Sequence, residues 1–386
     1  VSLPKIACPQ NLSKYLPLSN VLLSKNMSFT KEELLRYNRQ MLIPEFGVEG
    51  QTKLKNARVL VVGCGGLGSP ILLYLAAAGI GTIGMVENDK VDVSNLQRQI
   101  LYGTDSVGKN KIEEAEKRLQ ELNPNCKFES WQSKLQAHNV LEIFKNYDII
   151  IDGTDNFPTR YLINDACVLL HKPLIYGAIY RFEGQVAVFN HKNSINYRDL
   201  FPEPPPPEMA PNCAEAGVLG VMAGIIGTMQ ANEAIKVIAE IGEPLTGKLL
   251  MIDALTMAVR ILKIPKNPMA KKITQLIDYE AFCGLKKTNE KENIDFAQLK
   301  LWQKEGKDFQ LIDVREPHEY EIENIGGKLI PLSEIEKNIG QIRKDKTVVV
   351  HCQSGLRSQK AIKLLKEKHG FDNLINLTNG LKDKES

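Results

Sequence analysis

The chain has 386 residues, 43% hydrophobic and 25% charged, with a formal net charge of +3, enough for two cores of ordinary globular composition. Its lysines are interleaved with glutamates, so no basic face for nucleic acid is laid out. Seven cysteines (Cys8, Cys64, Cys126, Cys167, Cys213, Cys283 and Cys352) form no C-x-x-C pair, which argues against a disulfide framework or a four-cysteine zinc site and for a reducing, cytoplasmic setting.

Residues 1–26 lack Asp and Glu and carry several Lys and Ser, a composition that a transit peptide shares. The simpler expectation is a start at Met27, with the preceding extension disordered or not native. Thr30 with Glu33 three residues on then caps a helix at Lys31–Gln40. "ARVLVVG" reads as a strand, "LGSPILLYLAAAG" as a helix ending at Gly79, and "TIGMVEN" as a second strand. A helix over "SVGKNKIEEAEKRLQELN", the strand "FESWQ", a helix at Val140–Tyr147, the strand "DIIID", the helix "TRYLINDACVLLHK" and the strand "LIYGAIY" continue the alternation. Strands alternating with helices predict an α/β, Rossmann-like doubly wound sheet covered on both faces.

"EGQVAVFN" alternates as a strand, and Pro204 to Pro207 suit a stiff exposed loop. Val218–Glu240 contains the longest apolar run, which is shorter than the roughly 20 residues that a bilayer core demands. A buried helix is expected, with Gly220 and Gly224 serving close packing. "KLLMIDAL" and "AVRILKI" read as strands, and the charged stretch at 286–295 reads as a linker. From 296 to 386 a smaller α/β unit is expected, with strands "FQLIDVR" and "TVVVHC".

Gly63-Cys64-Gly65-Gly66-Leu67-Gly68 fits G-x-G-x-x-G between a strand and a helix, where bare backbone and a helix N-terminus receive phosphate. Glu87, at the end of the second strand, stands where an acid takes ribose hydroxyls. NAD is the default ligand of that fingerprint. Asn95 and Arg98, Lys109 and Lys111, and Asp152 and Asp155 at a strand's carboxyl end point instead to nucleotidyl transfer, which must neutralise polyphosphate and hold Mg²⁺. Taken singly, the cations also read as solvated surface and Asp155 as a helix cap.

The motifs "RYNRQ", "VLVVGCGGLGSP", "SNLQRQ", "VGKNK", "DGTDN", "EGQVAVF", "CAEAGVLG" and "GTMQANEAIK" stand in order. Through them residues 27–285 resemble the MoeB/ThiF/HesA family of ubiquitin-activating-enzyme-like adenylyltransferases. The resemblance implies that Gly63, Gly65, Gly66 and Gly68 hold the ATP phosphates and Glu87 the ribose, with Asn95 alongside. It implies that Arg98 and Lys111 stabilise the polyphosphate, that Asp155 holds Mg²⁺ or positions the reacting groups, and that Arg39 reaches into a dimer mate. The usual acid at the ribose position is Asp, so Glu87 is a departure of one methylene. The family's structural zinc uses two C-x-x-C pairs; Asn196, Asp199 and a lone Cys283 stand at those places, so no zinc is expected. Cys213, ahead of a helix, matches a cysteine that some relatives link covalently to their substrate, and it reads equally as a small buried hydrophobe.

In "TVVVHCQSGLRSQKAIKLL" a strand delivers Cys352 to a tight turn, and Arg357 and Ser358 open a helix. Loop amides, helix dipole and Arg357 favour an anion at sulfur. The C-x4-R spacing is one residue tighter than a phosphatase loop and suits a sulfane sulfur. With "LIDVREPHEY", "IENIGGKLIPL" and "VVVHCQSGLRS" in order, residues 296–386 resemble a rhodanese domain. That implies a persulfide on Cys352 stabilised by Arg357, with Asp313 and Arg315 holding the fold nearby. The end, "NLTNGLKDKES", lacks the usual Gly-Gly and tryptophan-bearing tail.

Together the resemblances imply ATP-dependent adenylylation of the C-terminal glycine of a ubiquitin-like sulfur carrier, followed by sulfur transfer from Cys352. A cysteine desulfurase as sulfur donor, a homodimer, and a pathway to molybdopterin, thiamine or thiolated tRNA are the implied context, without membrane or nucleic acid. An NAD-dependent oxidoreductase fused to a sulfur-binding domain and a non-catalytic carrier-binding scaffold remain the alternatives.

Overall fold

The computed structural model describes residues 29–205, 217–268, 272–284 and 293–381. The extension at 1–26 and Cys213 lie outside the described residues, as does most of the segment read as linker. The chain divides into two compact units between Cys283 and Gly284.

The larger unit runs α1 (Lys31–Met41), α2 (Gly47–Asn56), β1 (Arg58–Val62), α3 (Gly68–Ala78), β2 (Thr82–Val86), α4 (Lys111–Leu122), β3 (Lys127–Trp131) and α5 (Val140–Phe144). It continues with β4 (Ile149–Asp152), α6 (Phe157–Leu169), β5 (Leu174–Tyr180), β6 (Glu183–Phe189), α7 (Tyr197–Leu200), α8 (Gly220–Ala239), β7 (Lys248–Asp253), β8 (Ala258–Lys263) and α9 (Tyr279–Phe282). The capping box at α1 forms as expected: Glu33 N–H donates to Thr30 Oγ1 at 3.2 Å, and Thr30 N–H to Glu33 Oε2 at 2.7 Å. The strands form one sheet in the order β3-β2-β1-β4-β5-β6-β7-β8. β1 to β5 are parallel, whereas β6, β7 and β8 extend the sheet antiparallel.

Buried Ile71, Leu75, Ile226 and Ala234 pack on one face, and Tyr161, Ile163 and Phe189 on the other. β1 pairs with both β2 and β4, so the strand order reverses there. In an open sheet the crevice beyond the strands' carboxyl ends at that reversal is where ligands sit. α4 begins at Lys111, later than the sequence pattern suggests, because Gly108 turns the chain at φ +84°. On α8 close approach occurs at Gly220 and at Gly227, where a Cβ would lie 2.2 Å from Gln97 O and 2.5 Å from Pro70, while Gly224 faces open space. Among the described residues no helix is long and apolar enough to cross a membrane.

The smaller unit runs β9 (Asn293–Ile294), α10 (Phe296–Lys304), β10 (Gln310–Asp313), α11 (Pro317–Ile322), β11 (Lys328–Leu329), β12 (Val348–His351), α12 (Leu356–His369) and β13 (Leu374–Leu377). Its parallel sheet has the order β11-β10-β12-β13-β9. β9 falls inside the segment read as linker; a two-residue strand carries no periodicity to reveal it. β12 is central and wholly buried, which is what the run Val348-Val349-Val350 dictates. Leu381, the last described residue, is buried, and its N–H donates to Cys352 O at 3.1 Å. A Cβ at Gly380 would meet that same carbonyl oxygen at 2.0 Å.

Candidate active sites

At the end of β1, two of the loop glycines are demanded by the protein itself. Gly63 has φ +91° and a Cβ there would lie 2.9 Å from Gly153 O; a Cβ at Gly68 would lie 2.0 Å from Gly63 O. Gly65 and Gly66 are under less pressure, their nearest neighbours being side chains, Gln99 Nε2 at 3.6 Å and, more tightly, Ala223 Cβ at 3.3 Å. No backbone atom lies among the nearest neighbours of a Cβ at either position. Glu87 ties the end of β2 to this loop: its Oε2 accepts Cys64 N–H at 3.0 Å and its Oε1 accepts the Asn88 and Asp89 N–H groups at 2.8 and 2.9 Å. Arg98 Cδ lies 3.6 Å from the Cβ position of Gly66, and its Nη1 donates to Ser94 O at 3.0 Å.

Burial separates the two lysines that residue type and spacing alone leave equivalent. Lys111 is 5% exposed with its Nζ 3.3 Å from Asp89 Oδ2, whereas Lys109 is half-exposed and paired with Glu114 at 3.5 Å. Asn95 Oδ1 accepts Asp92 N–H at 3.2 Å in a reciprocal cap. Arg39 is exposed on the last turn of α1.

At the end of β4 the two aspartates part company. Asp152 is fully buried: Oδ1 accepts the Thr154 N–H at 2.9 Å and hydroxyl at 2.6 Å, and Oδ2 accepts Arg160 Nε–H at 3.1 Å. Arg160 Nη2 donates onward to Thr154 O at 3.0 Å, and the guanidinium lies over the Tyr176 ring at 5.1 Å. Asp155, just beyond, is exposed and has no hydrogen-bond or ion-pair partner among the described residues. The helix-cap reading of Asp155 fails, because Asn156 caps α6 by accepting Thr159 N–H at 3.0 Å.

In the smaller unit Cys352 leaves β12 fully buried, and Gly355 takes φ +82° to start α12. Arg357 forks onto Glu319 at 2.6 and 2.7 Å, binding the first turn of α12 to α11. That guanidinium holds the Glu319 carboxyl down at about 2. Arg315, buried, grips Asp313 through Nε at 3.0 Å and Nη2 at 2.7 Å, and its Nη1 donates to Gln353 Oε1 in the cysteine loop at 3.2 Å. Ser358 places its hydroxyl 3.7 Å from Cys352 Sγ.

His351 is fully buried, with neither ring nitrogen hydrogen-bonded among the described residues. Burial pushes its pKa down from 6.5 to about 4, so at neutral pH the ring is uncharged and its 3.8 Å approach to Asp313 is no ion pair. The unfolded chain takes up this proton near pH 6.5 while the folded chain does not until about 4. Stability of the smaller unit should therefore fall as pH drops through that interval, by up to about 3 kcal/mol. Urea-denaturation midpoints of the full chain, read from Trp302 in a Trp131→Phe background, should flatten over this range in His351→Phe; an unchanged slope would contradict the assignment.

Residues 37–272 match the model of the ThiF family, and residues 295–385 that of the rhodanese-like domain. The chain is 47% identical over 366 residues to the probable adenylyltransferase/sulfurtransferase MoeZ of Mycobacterium tuberculosis, covering 92% of this chain and 93% of that one. The chain belongs to the ThiF family. It carries a C-terminal rhodanese-like domain, and it is an adenylyltransferase joined to a sulfurtransferase. The sulfur carrier protein adenylyltransferase of Thermus thermophilus is 54% identical over 271 residues, 67% of this chain and 100% of that one. Escherichia coli MccB, solved with ATP, shares the fold at a TM-score of 0.54 and 23% identity, over 64% of this chain and 73% of that one.

Membership sets aside the nicotinamide reading of the glycine loop and sharpens the zinc question. Asn196 and Asp199 cap each other, Nδ2–H to Oδ2 at 2.9 Å, and Asp199 Oδ1 accepts Asn267 N–H at 3.1 Å. Burial pushes the Cys283 thiol up to about 11. These donors do not fit the family's zinc, and among the described residues no cluster of three or more His, Cys, Asp or Glu could hold a metal. An ion pair and aromatic rings cross-link this corner. Arg198 grips Asp165 at 2.8 and 2.7 Å between the Tyr161 and Phe282 rings, and Tyr279 O–H donates to Asp165 at 2.9 Å, joining α6, α7 and α9.

Proposed function

We propose that the chain uses ATP to adenylylate the C-terminal glycine of a ubiquitin-like sulfur-carrier protein and then delivers sulfur to it from a Cys352 persulfide. The observation that carries the first half is the convergence at the β1/β4 reversal of open backbone at Gly65 and Gly66, the Arg98 and Lys111 cations, and the unpartnered carboxylate of Asp155. The relative from Thermus thermophilus is named for the same substrate class.

In this reading Gly63 and Gly68 shape the loop, while Gly65, Gly66, Arg98 and Lys111 take the polyphosphate, with Asn95 holding the Arg98 turn. Glu87 offers the ribose hydroxyls the lone pairs that its backbone donors leave over. Mg²⁺, bound by Asp155 and phosphate oxygens, would supply charge neutralisation at the leaving pyrophosphate. The carrier carboxylate attacks the α-phosphorus, the bond to the bridging oxygen breaks, and carrier acyl-adenylate and pyrophosphate result. Arg39 acts from the partner protomer of a homodimer.

The outer sulfur of the Cys352 persulfide then attacks the acyl carbon, AMP leaves, and carrier and Cys352 are joined by an acyl disulfide. An external thiolate attacks Cys352 Sγ, releases the thiocarboxylate and forms a mixed disulfide with Cys352, which a second external thiol reduces. A donor carrying a persulfide, such as a cysteine desulfurase, reloads Cys352.

ATP–pyrophosphate exchange by the purified chain tests the proposal, run with each candidate carrier ending in Gly-Gly. Exchange should appear only with a carrier and should vanish when that carrier's terminal glycine is deleted. Exchange without any carrier, or with none of them, would overturn it.

A further inference from the structure

We propose that the Ser358 hydroxyl, which rests on Asn376, is a catalytic hydrogen-bond donor to the Cys352 sulfur and acts wherever Sγ leaves as a thiolate: when a small thiophile takes the outer sulfur, and when an external thiol frees Cys352 from its disulfide at the end of the carrier cycle. The inference rests on the sulfur-transfer half of the reading above. Ser358 and Cys352 are both fully buried, with Oγ 3.7 Å from Sγ. The hydroxyl also lies 2.6 Å from Asn376 Oδ1 and 3.0 Å from Gly355 O. Asn376 is 1% exposed in the middle of β13, and its Nδ2 donates to Asn293 Oδ1 at 3.2 Å. That bond fixes the amide with its oxygen towards Ser358. A strand core gains nothing from a buried asparagine unless its polar atoms are engaged. Here they engage the one hydroxyl that neighbours the sulfur.

A serine hydroxyl has one proton, and Cys352 Sγ, Gly355 O and Asn376 Oδ1 are among the acceptors that compete for it. While sulfur is uncharged the short contact to Asn376 is favoured; when Sγ carries charge, a charge-assisted bond to sulfur is the stronger. Arg357 is paired with the Glu319 carboxylate, and the Ser358 hydroxyl is a polar side-chain group set directly on Sγ.

The position within the persulfide assigns the step. In unloading, a nucleophile attacks the outer sulfur, the S–S bond breaks, and its electron pair goes to Sγ, which leaves as a thiolate. With cyanide the products are the Cys352 thiolate and thiocyanate. Ser358 touches Sγ, where this charge develops, and therefore speeds unloading. In loading from thiosulfate the Sγ thiolate attacks the outer sulfur of thiosulfate, sulfite leaves, and the charge on Sγ is consumed. A donor to Sγ gives loading no advantage.

The two half-reactions, measured separately on the full chain, test this. Protein loaded with thiosulfate and freed of excess is mixed with cyanide, and thiocyanate is followed in a single turnover. Ser358→Ala should unload about tenfold more slowly while loading no more slowly than the wild type, and Ser358→Thr should restore unloading. Ser358→Ala unloading at the wild-type rate, or both half-reactions slowing equally, would overturn the inference. Asn376→Leu gives a second arm in case the alanine variant folds poorly. Without its 2.6 Å acceptor the hydroxyl turns to sulfur, so unloading should hold or quicken, and a tenfold fall would overturn it. A wild type that accepts sulfur from neither thiosulfate nor a persulfide donor would overturn the sulfur-transfer reading and this inference with it.

Discussion

Cys352→Ala is expected to abolish formation of the carrier thiocarboxylate while leaving carrier-dependent ATP–pyrophosphate exchange at the wild-type rate. In the proposed reading, exchange needs only the carboxylate, ATP and the residues at the β1/β4 reversal, none of which belongs to the smaller unit. Sulfur transfer, by contrast, has no nucleophile once the thiol is gone, and covalent catalysis cannot be partly retained. The substitution is also mild for the fold. It removes one buried sulfur from a core that includes Val350, Ala361 and Leu365, a loss of the order of 1–2 kcal/mol. The measurement is the mass of the carrier C-terminus after incubation with ATP and a persulfide donor, alongside exchange. Thiocarboxylate formed by the alanine variant would remove Cys352 from the reaction; loss of exchange would mean that the two activities are not separable.

How much of this was legible in the sequence depended on whether a residue acts locally. The glycine loop, the capping box at Thr30 and the strand that delivers Cys352 are set by neighbours a few positions away, and each stands where the pattern put it. The antiparallel extension β6 to β8 was not legible as such, because an alternating strand does not declare its direction. Nor was the partnership of Arg357 with Glu319, since nothing in "REPHEY" marks which acid meets an arginine 38 positions on. Ser358 and Asn376 meet across 18 positions, and an asparagine in "LINL" reads as a blemish in a strand until the serine beside it is seen. Asp152 and Asp155 look alike in "DGTDN" by residue type; the family resemblance picked out Asp155, and burial shows Asp152 to be a brace while Asp155 stands open.

That distinction predicts opposite behaviour for two variants at one turn. Asp155→Ala should leave the melting temperature nearly unchanged, since an exposed carboxylate without a partner contributes within about 0.5 kcal/mol. It should cost carrier-dependent exchange about 100-fold or more, the scale on which removal of a group that stabilises transition-state charge is felt. Arg160→Leu should do the reverse in kind. It strands the fully buried Asp152 carboxylate without its cation and removes the donor to Thr154 O. Breaking one side of a buried pair costs about 3–5 kcal/mol, enough to lower the melting temperature of a unit this size by roughly 10 °C. Exchange would fall too, through loss of the turn that presents Asp155, but it should recover on cooling or in a stabilising osmolyte, whereas the Asp155→Ala defect should not. Calorimetry of both variants beside exchange at two temperatures separates the roles. If Asp155→Ala melts as early as Arg160→Leu, Asp155 is a brace as well and the Mg²⁺ assignment loses its ground. If instead Arg160→Leu melts normally and is dead at every temperature, the guanidinium touches substrate, and the buried pair with Asp152 is its resting place.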